Sequence, residues 1–218
     1  MMPPKTKTTP NKPGKSGKRN VRAPVSAGQV IRLCEPRTNS LSPGIVRIQN
    51  REIFASVTAT FTGGTSAEKT TSFMLSPTSF NWLGKTVGQY DKYLFSKVNL
   101  SFDPLLPTTS GGAILYYFDT SPNDTIPSTY AACSGNFRAT TGPIWAKSTH
   151  NIMKQALQTQ KMFDNRAYSN SQNAFPTCGK LVVALTPITA PSAQDGLIIV
   201  GYIWADYVVD MMAPSSSV

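Results

Sequence analysis

Between Glu52 and Phe61 the sequence EIFASVTATF places Ile53, Ala55, Val57, Ala59 and Phe61 on one parity and Glu52, Ser56, Thr58 and Thr60 on the other. Successive side chains of an extended strand point to opposite faces, so this alternation describes a strand with one face buried and one in water. The pattern recurs in SKVNLSFD, where Val98, Leu100 and Phe102 alternate with Lys97, Asn99, Ser101 and Asp103. A chain made of such segments must pair them into sheets and cover one face of each sheet.

TSFML, GAILYYF, KLVVALTPI and LIIVGYIWADYVVDM read as further strands. The last is apolar on both parities and is expected to be buried within its sheet. Breakers separate the segments: GG at 63, PTTSGG at 107–112, SPND at 121–124 and APSAQDG at 190–196. Short strands divided by Gly and Pro turns predict an all-β sandwich or barrel. Two short helices are expected as well. In SPTSFNWLGKTVGQY, Phe80, Leu83, Val87 and Tyr90 fall at helical spacing behind candidate caps at Ser76 and Thr78. In PSTYAACSG, Ser128 can cap a turn or two that stops at Gly135. NIMKQALQTQKMF is ambiguous, since Ile152, Met153, Ala156 and Leu157 suit a helix by propensity.

Charge is distributed unevenly. The chain has 218 residues and a formal net charge of +10, yet eight of its 21 basic residues and none of its 11 acidic ones lie in the first 32 positions. The eight are Lys5, Lys7, Lys12, Lys15, Lys18, Arg19, Arg22 and Arg32. They stand in a Pro-, Gly-, Ser- and Thr-rich segment almost empty of large apolar side chains. Such a segment cannot bury enough surface to offset its ordering entropy, so it is expected to be disordered. A block of like charge on a tail of this kind points to a polyanionic partner, against the simpler reading of a solubilising or targeting sequence. The prolines at 3, 4, 10 and 13 oppose an amphipathic transit helix, and no apolar run supplies a secretory signal.

Several function classes find no support. No window of 18 apolar residues occurs, which argues against a helical membrane span. Cys34, Cys133 and Cys178 are odd in number and far apart, forming neither a disulfide framework nor a zinc pattern, which fits a reducing compartment. The sequons at Asn99 and Asn123 then read as accidental. The single histidine, His150, has no carboxylate or nucleophile at a spacing suggestive of a triad. The glycines of SGG at 110–112 lack the Lys and the helix of a phosphate-binding loop. No enzyme and no small-molecule substrate is therefore expected.

One loop retains a chemical question. LYYFDTSPNDTIP carries Asp119 at a strand end and Asp124 five positions later, with Asn123 and backbone carbonyls close by. Hard oxygen donors in a short span suit calcium, which takes six to eight of them. Two carboxylates are too few, so such a site would need donors from elsewhere. Asp, Asn, Ser and Pro are also the residues that turns prefer, and SPND reads equally as an Asx-type turn with no metal.

The run FNWLGKTVGQYDKYLFSKVNLSFDPLLPTTSGGAILYYFDTSPNDTIPS, followed by TTGPIWAK, resembles the shell domain of coat proteins from small positive-strand RNA plant viruses of the tombusvirus and sobemovirus type. There a Trp-Leu segment leads to a Tyr-Lys-Tyr strand, a Pro-Thr-Thr/Ser-Gly turn, and a strand ending in Phe-Asp with a second Asp shortly after. RIQNREIFASV is similar to the first shell strand, with Asn50 where His is common. GLIIVGYIWADYVVDMMAP is similar to the closing strand, with Trp204 and Tyr207 in the usual aromatic setting. The resemblance covers about residues 44 to 213.

The resemblance implies an eight-stranded jelly-roll β-sandwich at 43–213, carrying the two short helices, after a disordered basic RNA-binding arm at 1–42 and before a short tail at 214–218. It also implies a strand at 151–163 and, with Val218 soon after the final strand, no protruding domain. The expected partners are many copies of the chain itself, forming a capsid, and single-stranded genomic RNA, in the virion and the host cytoplasm. Asp119 and Asp124 match the pair that binds calcium at a subunit interface in that family, with the remaining ligands from a neighbour. Asp164 or Asn165 in MFDNR is a guess at one. A jelly-roll lectin with a basic tail and an RNA-binding accessory protein without a shell are the alternatives.

Overall fold

The computed structural model describes residues 36–42, 44–158, 163–164, 177–190, 192 and 195–214. They fall within one unit that backbone contacts delimit as Leu33–Val218. Two antiparallel sheets carry the fold. In the first, the long strands β2 (Ile45–Thr62), β11 (Gly196–Pro214) and β5 (Tyr90–Pro104) lie side by side, with β1 (Arg37–Ser42) at one edge and β8 (Ser148–Ile152) at the other. The short β3 (Thr65–Ser66) pairs with β2, and β9 (Phe163–Asp164) pairs with β5. The second sheet runs β4 (Lys69–Met74), β10 (Lys180–Leu185), β6 (Ala113–Asp119), β7 (Thr140–Pro143). The eight principal strands thus divide as β2, β5, β8, β11 and β4, β6, β7, β10, which is the jelly-roll arrangement. Phe61, Phe95, Val98, Phe102, Ile114, Leu181 and Val183 belong to one buried core.

Alternation holds where the strands are regular. Val98, Leu100 and Phe102 are buried, as their parity requires. It breaks at β-bulges, which insert a residue and reverse parity. On β2, Ile203 pairs with Ala55 and Trp204 with Ile53, so Phe54 is the extra residue, and Phe54 and Ala55 are buried in succession. Ile53, expected inside, is 42% exposed, and Glu52, expected outside, reaches inward to the hydroxyl of buried Tyr207. A second bulge on β5 at Ser96 separates buried Tyr93 and Phe95 from the Val98 series.

The inward turn of Glu52 decides how the first helix starts. Helix α1 (Asn81–Val87) has Phe80 at its N-cap position, which offers no side-chain acceptor. The Glu52 carboxylate accepts instead from the backbone N–H groups of Trp82 (2.6 Å) and Leu83 (3.3 Å). Amides at a helix start lack intrahelical partners, and the helix dipole favours a negative charge there. Ser76 and Thr78, the expected caps, bond to each other at 2.8 Å in the 3-10 turn Pro77–Ser79 that precedes α1. In α2 (Tyr130–Ser134) the cap is Thr129 rather than Ser128, accepting from Ala132 N at 3.2 Å, and Gly135 ends the helix as expected.

Three further expectations are corrected. β11 is central in its sheet but is buried on one face only: Tyr202, Trp204, Asp206 and Val208 remain partly exposed, and Arg51 lies over the Trp204 ring at 5.6 Å. The strand buried on both faces is β10, whose Leu181, Val183 and Leu185 join the main core. Its Val182 and Ala184 pack with Leu115, Tyr117 and Cys133, the last on α2. Residues 37–42, assigned to the arm, form strand β1; an edge strand needs only backbone pairing, so the polar Arg37–Ser40 register with β2 leaves no hydrophobic signal. Within 151–163, expected as strand, β8 ends at Ile152 and Lys154–Leu157 form a helical turn, α3, which buries Leu157. No helix among the described residues is long and apolar enough to cross a membrane.

Candidate functional site

Strand β6 buries Ile114 to Tyr117 and emerges at Asp119. The chain then turns at once: Asp119 Oδ1 accepts from the backbone N–H of Ser121 at 2.9 Å, and Asp124 N donates to Ser121 O at 3.3 Å. The Asx turn is thus built on Asp119, two residues before the expected SPND, and SPND closes as a backbone turn. Asp124 itself is exposed.

The partner of this loop is Lys180, which no sequence pattern singled out. Pairing of β10 with β6 puts Lys180 directly opposite Asp119. Its side chain is only 2% exposed, and Nζ lies 3.5 Å from Asp119 Oδ2. The ammonium also donates to the carbonyl oxygens of Pro122 (3.3 Å) and Asp124. All of these acceptors come from 119–124, so one buried cation gathers the loop around itself. Gly179 makes the approach possible: its φ is +150°, and a Cβ there would fall within 3 Å of the Asp119 carbonyl oxygen and the Phe118 ring. A lysine opening the otherwise apolar run KLVVAL was the available signal.

This donor set fits an ammonium and not a divalent ion. The carbonyls of Pro122 and Asp124 already accept from Lys180 and the Asp119 carboxylate is paired with it, so a second cation on these oxygens would be repelled; only the exposed Asp124 carboxylate stays outside the contact. Among the described residues, no group of three or more His, Cys, Asp or Glu side chains could hold a metal. Asp164 lies in β9, its backbone opposite Lys92, and Asn165 lies outside the described residues. So do Lys5, Lys7, Lys12, Lys15, Lys18, Arg19, Arg22 and Arg32.

Asp119 and Asp124 border a cavity of about 410 Å³ that is also lined by Phe137, Arg138, His150 and Asn151. His150 is buried; its Nδ1 lies 2.8 Å from Thr140 Oγ1 and its ring meets Tyr116 edge-on at 5.6 Å. Burial, and then the charge of Arg138, hold its pKa below the ordinary 6.5. With one hydroxyl and one aromatic edge about it, His150 is a packed core residue with no nucleophile to serve.

The comparison that bears on these features is one of sequence family. The pattern described as viral coat protein (S domain) matches residues 18–217. The chain belongs to this coat-protein family. Curated members similar to this shell domain include the capsid protein of Cucumber necrosis virus, 25% identical over 198 residues, 88% of this chain and 49% of that one. The capsid protein of Tobacco necrosis virus (strain D) is 28% identical over 209 residues, 86% of this chain and 75% of that one. The chain spans 36% of the length of the Pothos latent virus capsid protein, to which it is 29% identical over 136 residues. Solved structures agree on the fold: Tobacco necrosis virus superposes with a TM-score of 0.70 at 17% identity, covering 84% of this chain and 89% of the other. Cucumber necrosis virus gives a TM-score of 0.72 at 20% identity, covering 95% and 63%. The coat proteins that the chain matches are structural, not enzymes.

Proposed function

We propose that this coat protein assembles in many copies into a closed shell and packages single-stranded RNA through its basic N-terminal segment. The observation that carries the reading is the coat-protein match over residues 18–217, which takes in the whole jelly roll and part of the basic segment. The shell domain supplies rigid sheets to form interfaces, and interfaces repeated about symmetry axes close a particle. The segment with Lys5, Lys7, Lys12, Lys15, Lys18, Arg19, Arg22 and Arg32 supplies cations to neutralise phosphates. Counterion release makes such binding insensitive to sequence and steeply dependent on salt. Tethering many arms to one shell makes weak contacts collectively tight. The particle would be the virion, built in the host cytoplasm.

Electron microscopy of the purified protein tests the reading: closed particles holding nuclease-protected RNA are expected, and a monomer or small oligomer without RNA would overturn it. Deleting residues 1–32 should leave shells that hold far less RNA. For the intact chain, the slope of log K against log salt for a short RNA should be roughly −5 to −6, at about 0.7 for each of the eight cations.

A further inference from the structure

We propose that the ammonium of Lys180 is the resident cation of the 119–124 loop, so that this coat protein holds the loop by an internal charge and needs no divalent metal there. The Lys180 side chain is 2% exposed, and a buried ammonium persists only where oxygens replace its water. Those oxygens are present, and they come from the one loop: the Asp119 carboxylate and the carbonyls of Pro122 and Asp124. Two N–H groups of the one nitrogen are directed to carbonyl acceptors, and the ion pair with Asp119 adds the charge. The register fixes the arrangement, because Lys180 pairs with Asp119 across β10 and β6, and Gly179 allows the two backbones to meet.

The charge count agrees. Asp119 and Asp124 border the adjoining cavity together with Arg138, while Lys180 lies beneath the loop. Two carboxylates and one guanidinium line the cavity, Lys180 reaches the loop from outside it, and His150 in the same wall adds no charge in its neutral form. A divalent ion would meet no excess of negative charge.

The test uses the full-length chain, as particles where they form, with terbium luminescence and calcium titration as probes. It rests on the coat-protein reading only for the particle measurements; terbium and thermal measurements on unassembled chain report on the loop even if no shell forms. Wild-type protein should show no saturable terbium signal that depends on Asp119, and millimolar calcium should leave its melting temperature unchanged. Particles should sediment alike with and without chelator at mildly alkaline pH, or change in a way that Asp119→Asn does not affect. Lys180→Gln should melt lower, and calcium should return about 2–4 °C by occupying the emptied position. A saturable wild-type terbium signal abolished by Asp119→Asn with Asp124→Asn would overturn the proposal. So would a folded Lys180→Gln protein indifferent to calcium. Should Lys180→Gln not fold, the wild-type and Asp119→Asn titrations decide the matter alone.

Discussion

Each sheet holds a charge against backbone groups of a neighbouring connection, and the two charges are held in mirror-image ways. On the first sheet, Glu52 takes the backbone N–H groups of Trp82 and Leu83 and the hydroxyl of Tyr207. On the second, Lys180 gives to the carbonyls of Pro122 and Asp124 and pairs with Asp119. An anion gathers the amides that open α1; a cation gathers the carbonyls of the loop that follows β6. The difference lies in how each is delivered. Glu52 turns inward because a bulge at Phe54 reverses parity, whereas Lys180 stands at the regular start of β10, behind a glycine. In both, a charge, half-buried at Glu52 and buried at Lys180, locks a connection by satisfying backbone groups that would otherwise be costly to bury.

The largest effect should come from breaking the anionic half. Glu52→Ala would leave two amides and a fully buried tyrosine hydroxyl without their acceptor, costing about 3 kcal/mol of stability. Glu52→Gln keeps an acceptor oxygen but loses the charge, and should cost roughly half as much. Urea unfolding of both variants measures this. A stability unchanged in Glu52→Ala would mean that water replaces the carboxylate, and the parallel with Lys180 would fail.

Next in size should be Gly179→Ala, which leaves the Lys180 ammonium intact but pushes β10 away from Asp119. The added Cβ meets the Asp119 carbonyl and Phe118 ring within 3 Å, at a φ of +150° that L side chains rarely adopt. About 2 kcal/mol of destabilisation is expected, read as a lower midpoint in the same unfolding experiment. A neutral substitution would show that the loop, and not the glycine, sets the register.

These two charges also mark where sequence reasoning worked and where it stopped. In the second sheet the pairings of β10 with β4 and β6 run without a shift, and GAILYYF from Ala113 on and KLVVAL of KLVVALTPI are found as strands. The first sheet is bulged, and one extra residue at Phe54 is enough to place Ile53 outside and Glu52 inside. The only mark of the bulge in EIFASVTATF is Phe54, an apolar residue on the polar parity, and a period-two rule passes over it. β1 escaped notice because an edge strand pairs through its backbone and Arg37 to Ser40 are polar. Asp119 and Asp124 were visible as a loop with oxygen donors. Their partner was not, because the opposition of Lys180 to Asp119 is created by strand pairing between segments distant in the chain.

His150 offers the smallest and most selective probe, a buried ionisable group held by side chains and not by backbone. It has the Thr140 hydroxyl at Nδ1 and the edge of Tyr116, and burial disfavours its charged form. Burial first, then the positive Arg138, hold its pKa below 6.5 in the folded chain. The unfolded chain, with a pKa near 6.5, therefore binds more protons as pH falls below that value. Stability from this residue is full above about pH 6.5 and is lost as pH falls through the folded pKa. Because the chain has one histidine, a single ring resonance followed by NMR reports the folded value directly. His150→Gln should remove the part of the acid-side decline that begins near pH 6.5, while the decline below pH 3.8 remains. At Asp210, burial raises the pKa, but bonds from Arg47 and Ser96 outweigh it and the net shift is downward. A ring titrating at or above 6.5 in the folded protein would mean that burial does not disfavour the charged imidazole, and the contrast with the backbone-held charges would be lost.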